Sequence, residues 1–158
     1  GSAFVVRVPA ASAQAVEAAP LAPPPLARSP SPKRVLVVDD NTDAASLLAE
    51  LCEMLGHDVR VAFDGPQALA QLEHFTPDVA VLDIGLPVMD GYELGSRLRA
   101  RFGTGLRLFA LTGLGQKHDQ LRSQAAGFER HFVKPLDPSA LSDILSASHR
   151  AQRSSPAR

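Results

Sequence analysis

Two hydrophobic rhythms alternate along residues 33–150. The first is a set of short apolar stretches that read as strands, of which Val35 to Val38 and Val79 to Leu82 are continuous runs as expected of strands covered on both faces. These are Val35-Leu36-Val37-Val38, ending at Asp39; Val59 to Phe63; Val79-Ala80-Val81-Leu82, ending at Asp83; Leu106 to Leu111, ending at Thr112; and His131 to Val133, ending at Lys134-Pro135. The second rhythm has helical spacing. After Asn41, apolar residues recur at Ala44, Leu47, Leu48, Leu51 and Leu55, and Gly56 stops the stripe. Asp64 is placed to cap a helix with Pro66 in its first turn and Ala68, Leu69 and Leu72 inward. Gly91 to Phe102 carries Leu94 and Leu98 on one face, and Gln116 to Ala126 is polar and weakly amphipathic. Asp137 and Pro138 begin a last helix bearing Leu141, Ile144 and Leu145.

Strands alternating with helices imply a parallel sheet, right-handed crossovers and helices on both faces. Five such units in about 118 residues suit a small doubly wound α/β domain, in which ligands sit beyond the carboxyl ends of the strands. The flanks differ in kind. Seven of the 13 prolines fall within residues 9–32, among Ala, Ser and Gln, so 10–32 is expected to be a flexible linker. Residues 151–158 read as a frayed polar tail. Residues 33–150 hold 12 Lys/Arg against 16 Asp/Glu, a net of −4 that the basic flanks mask. Such a domain repels phosphate backbones and attracts cations, so no nucleic-acid partner is expected. A single cysteine, Cys52, excludes an internal disulfide framework and a four-cysteine zinc site. There is no basic-then-apolar leader and no run long enough to span a bilayer, so a soluble cytoplasmic chain without direct membrane contact, monomeric in isolation, is expected.

The residues at the strand ends are Asp39-Asp40, Asp83, Thr112 and Lys134. A doubly wound fold would gather them at one edge. Three carboxylates and one ammonium sum to −2, an arrangement that repels itself unless a cation intervenes. An all-oxygen donor set points to Mg²⁺ or a similar hard ion, which readily bridges to phosphate. A phosphoryl group could then be met by the metal, by Lys134 and by Thr112. Asp83 stands alone at its strand end and is the candidate acceptor, leaving Asp39 and Asp40 to hold the metal; aspartyl phosphates are a known form of covalent chemistry.

These residues, in the stretches VLVVDDN (35–41), VLDIGLPVMDGYEL (81–94), ALTG (110–113) and FVKPLDP (132–138), resemble the receiver domain of two-component response regulators over residues 33–147. The resemblance implies a flavodoxin-like (βα)5 fold with strand order 2-1-3-4-5. It implies that Asp83 is the phosphoacceptor, that Asp40 ligates Mg²⁺ directly and Asp39 largely through water, and that the backbone carbonyl of Gly85 is the remaining protein ligand. Thr112 would be the switch hydroxyl, Lys134 the partner of acceptor and phosphoryl group, and Lys134-Pro135 a cis peptide. His131 stands where many receivers carry Tyr or Phe, which puts the aromatic switch in doubt and admits a pH response. Gly85 and Leu114 occupy the two positions that tune hydrolysis in the family, and neither side chain can orient water, so slow self-dephosphorylation is expected. The stretches DIGLPVMDGYEL, ALTGLGQ and GFERHFVKPLDP look more like receivers of hybrid sensor histidine kinases than like chemotaxis-type single-domain regulators. GSAFVVRVP (1–9) resembles the last strand of a histidine-kinase ATP-binding domain, and Gly1-Ser2 equally resembles a cloning scar.

The implied partner is a histidine kinase or a histidine phosphotransfer domain. The chain would hold no kinase catalytic domain, would promote only its own phosphorylation and dephosphorylation, and would carry no DNA-binding domain after its last helix. A stand-alone single-domain regulator and an interaction module that takes no phosphate are the alternatives. The remaining polar residues have plainer readings. His57, His74, His118 and His149 lack metal-ligand spacing and read as surface residues. Cys52 reads as a small buried hydrophobe, and Gly91, Gly103, Gly105 and Gly113 as loop or close-packing glycines. No Gly-x-x-x-x-Gly-Lys-Ser/Thr run is present to cradle a nucleotide.

Overall fold

A computed structural model describes residues 31–113 and 120–146. The expectations for residues 1–9, for most of the linker, for Leu114, His118 and His149, for the start of the helix at Gln116 and for the tail all lie outside the described residues. The elements run β1 (Arg34–Val38), α1 (Thr42–Met54), β2 (Asp58–Ala62), α2 (Gly65–Gln71), β3 (Val79–Asp83), α3 (Gly91–Phe102), a 3-10 turn (Gly103–Gly105), β4 (Arg107–Thr112), α4 (Gln120–Ala126), β5 (Arg130–Val133) and α5 (Pro138–Ser146). All five strands are parallel, in the order β2-β1-β3-β4-β5.

Strand periodicity divides the core into two layers. Val35, Val37, Val79, Val81, Phe109 and Leu111 face α1 and α5, where they meet Leu48, Cys52, Leu141, Ile144 and Leu145. Leu36, Val38, Ala80, Leu82 and Leu108 face the other way, onto Ala68 and Leu72 of α2 and Leu94 and Leu98 of α3. Cys52 is wholly buried in the first layer, and burial pushes its thiol up to about 12, so it behaves as a hydrophobe.

Local chemistry sets the helix ends. The Asn41 side chain accepts from the amides of Asp43 and Ala44, and Asp64 accepts from Gln67 N, both as N-caps. Asp90 does the same for α3 through Glu93 N. At the far end of α3, the Arg99 guanidinium donates to the carbonyls of Gly103, Leu106 and Gly127, tying the helix to the turn before β4 and to the start of the β5 arm.

Two expectations need correction. The buried arc of α1 is Ala45, Leu48, Ala49 and Cys52, with Leu55 beyond it, whereas Leu47 is 59% exposed. Small residues at 45, 49 and 52 let the helix lie close to the sheet, and at about 100° per residue Leu47 then falls on the opposite side. His57, expected at the surface, is 6% exposed. Gly56, at φ 92°, turns the chain so that His57 N reaches the Cys52 carbonyl, and the His57 ring accepts the Lys33 amide on Nδ1 at 3.0 Å. Burial and the neighbouring Lys33 charge lower its pKa.

Two predictions follow from this packing. Leu48→Ala should cost about 2–4 kcal/mol in urea unfolding and Leu47→Ala under about 0.5 kcal/mol. Because the folded state disfavours protonated His57, the unfolded chain binds that proton first as pH falls through about 6.5. The stability that neutral His57 contributes is therefore complete above that pH and is lost below it. Wild type should lose more stability between pH 7.5 and 5.5 than His57→Gln, as paired thermal melts would measure.

Candidate functional site

The parallel topology carries four strand ends to one edge. Asp39 follows β1 directly and is 2% exposed; its amide donates to Ala62 O, and its Oδ1 accepts from Asn41 N at 2.9 Å. Asp83, the last residue of β3, is 4% exposed, and its Oδ1 accepts from Gly85 N at 2.9 Å. Thr112 ends β4 and is buried. It is brought beside Asp83 by the pairing of Asp83 with Leu111 and by the bond from Ile84 N to Leu111 O, and its hydroxyl donates to Phe132 O at 3.3 Å. Lys134 follows β5, its amide bonded to Thr112 O, and the Lys134-Pro135 peptide is cis.

Lys134 joins these ends. Its Nζ lies 2.8 Å from Asp39 Oδ2 and 3.0 Å from Asp83 Oδ2. Burial alone would lower the lysine pKa, but hydrogen bonds to Asp39 and Asp83 and their charges outweigh it and raise the value. Asp40 is exposed, yet one carboxylate oxygen from each of Asp39, Asp40 and Asp83 falls within 4.8 Å of the others. Partial burial raises the Asp40 pKa, as do a hydrogen bond and charge repulsion from Asp83 and the charge of Asp39, with Lys134 opposing. Two acidic groups thus share one ammonium with a third beside them, and the residual −2 suits a divalent hard ion on oxygen ligands. The donor set and its crowding fit Mg²⁺, which would draw on Asp39, Asp40 and Asp83.

Three features of this edge escaped the sequence reading. A Cβ at Gly91 would lie 2.3 Å from the Asp83 carbonyl oxygen, so only glycine lets α3 start this close to the aspartate; close packing was foreseen for Gly91, but not its neighbour. Val88, in the loop between them, sits at φ 68° with 91% of its surface exposed, a costly conformation for a β-branched residue. Asp90, besides capping α3, forms an ion pair with Arg122, whose guanidinium lies 4.7 Å from the Tyr92 ring centroid. His131 is half-buried, with Nε2 3.0 Å from Ser123 Oγ of α4 and its ring beside Phe128, which in turn meets Tyr92 edge-on. A single Tyr-Glu-Leu pattern gives no hint of that chain of contacts.

The sequence profile of the response regulator receiver domain matches residues 35–146. The chain belongs to that family. It is a receiver domain of two-component signalling. The chain is 36% identical over 111 residues to the probable transcriptional regulator ycf27 of Cyanophora paradoxa, covering 69% of this chain and 45% of that protein. Its alignment with the sensor protein EvgS of Escherichia coli runs over 156 residues at 28% identity, covering 99% of this chain and 13% of EvgS. The chain therefore spans under half the length of either relative. Among solved structures, a CheY-like receiver domain from Methanospirillum hungatei superposes with a TM-score of 0.67 at 29% identity, over 73% of this receiver chain and 91% of the other. No helix among the described residues is long and apolar enough to cross a membrane.

Lys134→Met should leave Asp39 and Asp83 buried without a counter-charge. We expect a loss of about 2 kcal/mol, below the range for a fully buried pair because the lysine side chain is 26% exposed. Millimolar Mg²⁺ should recover part of that loss in urea melts, since a second cation can stand in for the ammonium.

Proposed function

We propose that this receiver takes a phosphoryl group from a phosphohistidine onto Asp83. The observation that carries the reading is the shared Lys134 between two buried carboxylates, with a third acid beside them. A carboxylate oxygen of Asp83 forms the new O–P bond as the donor's N–P bond breaks, and the electron pair returns to the imidazole nitrogen. Asp39, Asp40, Asp83 and the Gly85 carbonyl would hold Mg²⁺, which would supply charge neutralisation for the phosphoryl oxygens. Lys134 then transfers its contact from the Asp83 oxygen to a phosphoryl oxygen. The Thr112 hydroxyl leaves Phe132 O and donates to the same group. That movement pulls on β5 next to His131, which touches α4 through Ser123, so the face built by α4, β5 and α5 is the surface that changes. Gly85 offers no side chain to position an attacking water, consistent with a long-lived phosphoryl group.

The same reading extends to the parent protein. We take the chain as the receiver of a hybrid sensor histidine kinase, with a histidine kinase or a histidine phosphotransfer domain as donor and acceptor. The support is the reach of the EvgS alignment: it takes in nearly the whole chain, residues upstream of β1 included, whereas the alignment with ycf27 takes in 69%. The match to a transcriptional regulator favours, as the second reading, a receiver of the stand-alone regulator type.

Acetyl phosphate with Mg²⁺ should give a slower band on a phosphate-affinity gel, lost in Asp83→Asn and on chelation with EDTA. Beryllofluoride with Mg²⁺ should shift the amides of Asp83, Thr112, His131 and Lys134. A domain that stays unlabelled and whose spectrum does not move would refute the phosphoacceptor reading.

A further inference from the structure

β2 is an edge strand, and its outer side is only partly closed. Asp58 N donates to Lys33 O and Asp39 N to Ala62 O, so the peptide groups of 58, 60 and 62 turn toward β1. Those of 57, 59, 61 and 63 therefore turn outward. Both ends of this outer row are occupied. His57 N donates to Cys52 O at 3.1 Å. The Val61 carbonyl takes Gln71 Nε2 at 2.5 Å, and Phe63 N donates to Gln67 Oε1 at 2.6 Å. Two glutamines of α2 thus close the upper end of the edge. Among the described residues, the Val59 amide, the Val59 carbonyl and the Val61 amide between these closures have no partner.

We propose that this gap is the pairing site for β2 of a second copy, antiparallel, with the two-fold axis at Val59. In that register Val59 and the partner's Val59 exchange both hydrogen bonds, and Val61 N reaches the carbonyl of the partner's His57. Pairing then stops where Gln71 and the Cys52 carbonyl already hold the next groups. The side chains decide in favour of a second copy over an unrelated strand. Asp58 falls opposite the partner's Arg60, and Arg60 opposite the partner's Asp58, about 4.5 Å apart between Cα atoms, giving two opposite-charge pairs by symmetry. Both side chains are exposed and point to the α2 face of the sheet, because Val59 and Val61 pack on the other layer. There a groove of about 400 Å³, lined by Val59, Arg60, Val61, Gln71, His74 and Phe75, receives the incoming carboxylate. Arg60 sits over the Phe75 ring at 5.6 Å, which holds its guanidinium along that groove. So short an edge buries little surface, and the pair is a weak one that forms at high local concentration. At low concentration the chain stays the monomer that was expected of it in isolation.

The test is sedimentation of the full chain from about 10 μM to about 1 mM. The parent should associate with rising concentration, with shifts confined to the amides around Val59 and Val61. Asp58→Arg and Arg60→Asp should each weaken association about tenfold, because each places like charges across the axis twice. The double variant, which restores opposite pairs with the signs exchanged, should return to within about threefold of the parent. Thermal melts and beryllofluoride shifts at Asp83 report that each variant is folded. A parent that stays monomeric at the highest concentration overturns the proposal, as does a double variant no tighter than the single ones.

Discussion

Two buried carboxylates drawn onto one ammonium organise this molecule. Asp39 and Asp83 lie at the ends of neighbouring strands and are withdrawn from water, a costly placement for charge unless the partner is close and the remaining oxygens are bonded. Lys134 meets the first requirement, and the amides of Asn41 and Gly85 meet the second. The lysine reaches both acids because β5 follows β4 in the sheet and its amide is fixed on Thr112 O, which sets the chain just beyond the strand. Asp40 is then surplus. It adds a third negative group that the single lysine does not balance, an imbalance that suits a cation better than a closed ion pair would.

The same edge is wired to one flank of the domain. The Thr112 hydroxyl bonds the carbonyl of Phe132, the residue after His131. His131 meets Ser123 and Phe128, Phe128 meets Tyr92, and Arg122 spans Tyr92 and Asp90 at the start of α3. The segment after Asp83 and strand β5 are therefore joined twice, once at the carboxylates through Lys134 and once through this ring-and-ion chain. A change at the carboxylate edge can reach α4 and β5 by contacts already in place. The opposite flank, at β2, is built differently: side chains of α2 close its backbone groups, and only the middle of the strand is left open.

Much of this was legible in the chain. All five strands were visible as short apolar stretches, continuous in β1 and β3 and interrupted by Arg60 in β2, and the strand-end rule converted Asp39, Asp40, Asp83, Thr112 and Lys134 from scattered residues into one group. The cap at Asp64 was readable because a cap acts within three or four residues of itself; the cap at Asn41 became visible only in the structure. Leu47 was misjudged because α1 carries two overlapping apolar stripes, and the alanines and Cys52 of the correct one are weak hydrophobic signals. His57 was misjudged because nothing local distinguishes a turn histidine in water from one covered by the entering chain.

The order of strands and helices, the doubly wound class and the identity of the residues at the carboxyl edge were determined by sequence alone, since each follows from periodicity within a few residues or from where a run stops. Tertiary structure decided how α1 is rotated on the sheet, which carboxylates share Lys134, why Gly91 must be glycine, and how Gln67 and Gln71 close the β2 edge. These depend on distances between segments tens of residues apart, and side-chain volume and charge act across such gaps only after the sheet has brought the segments together.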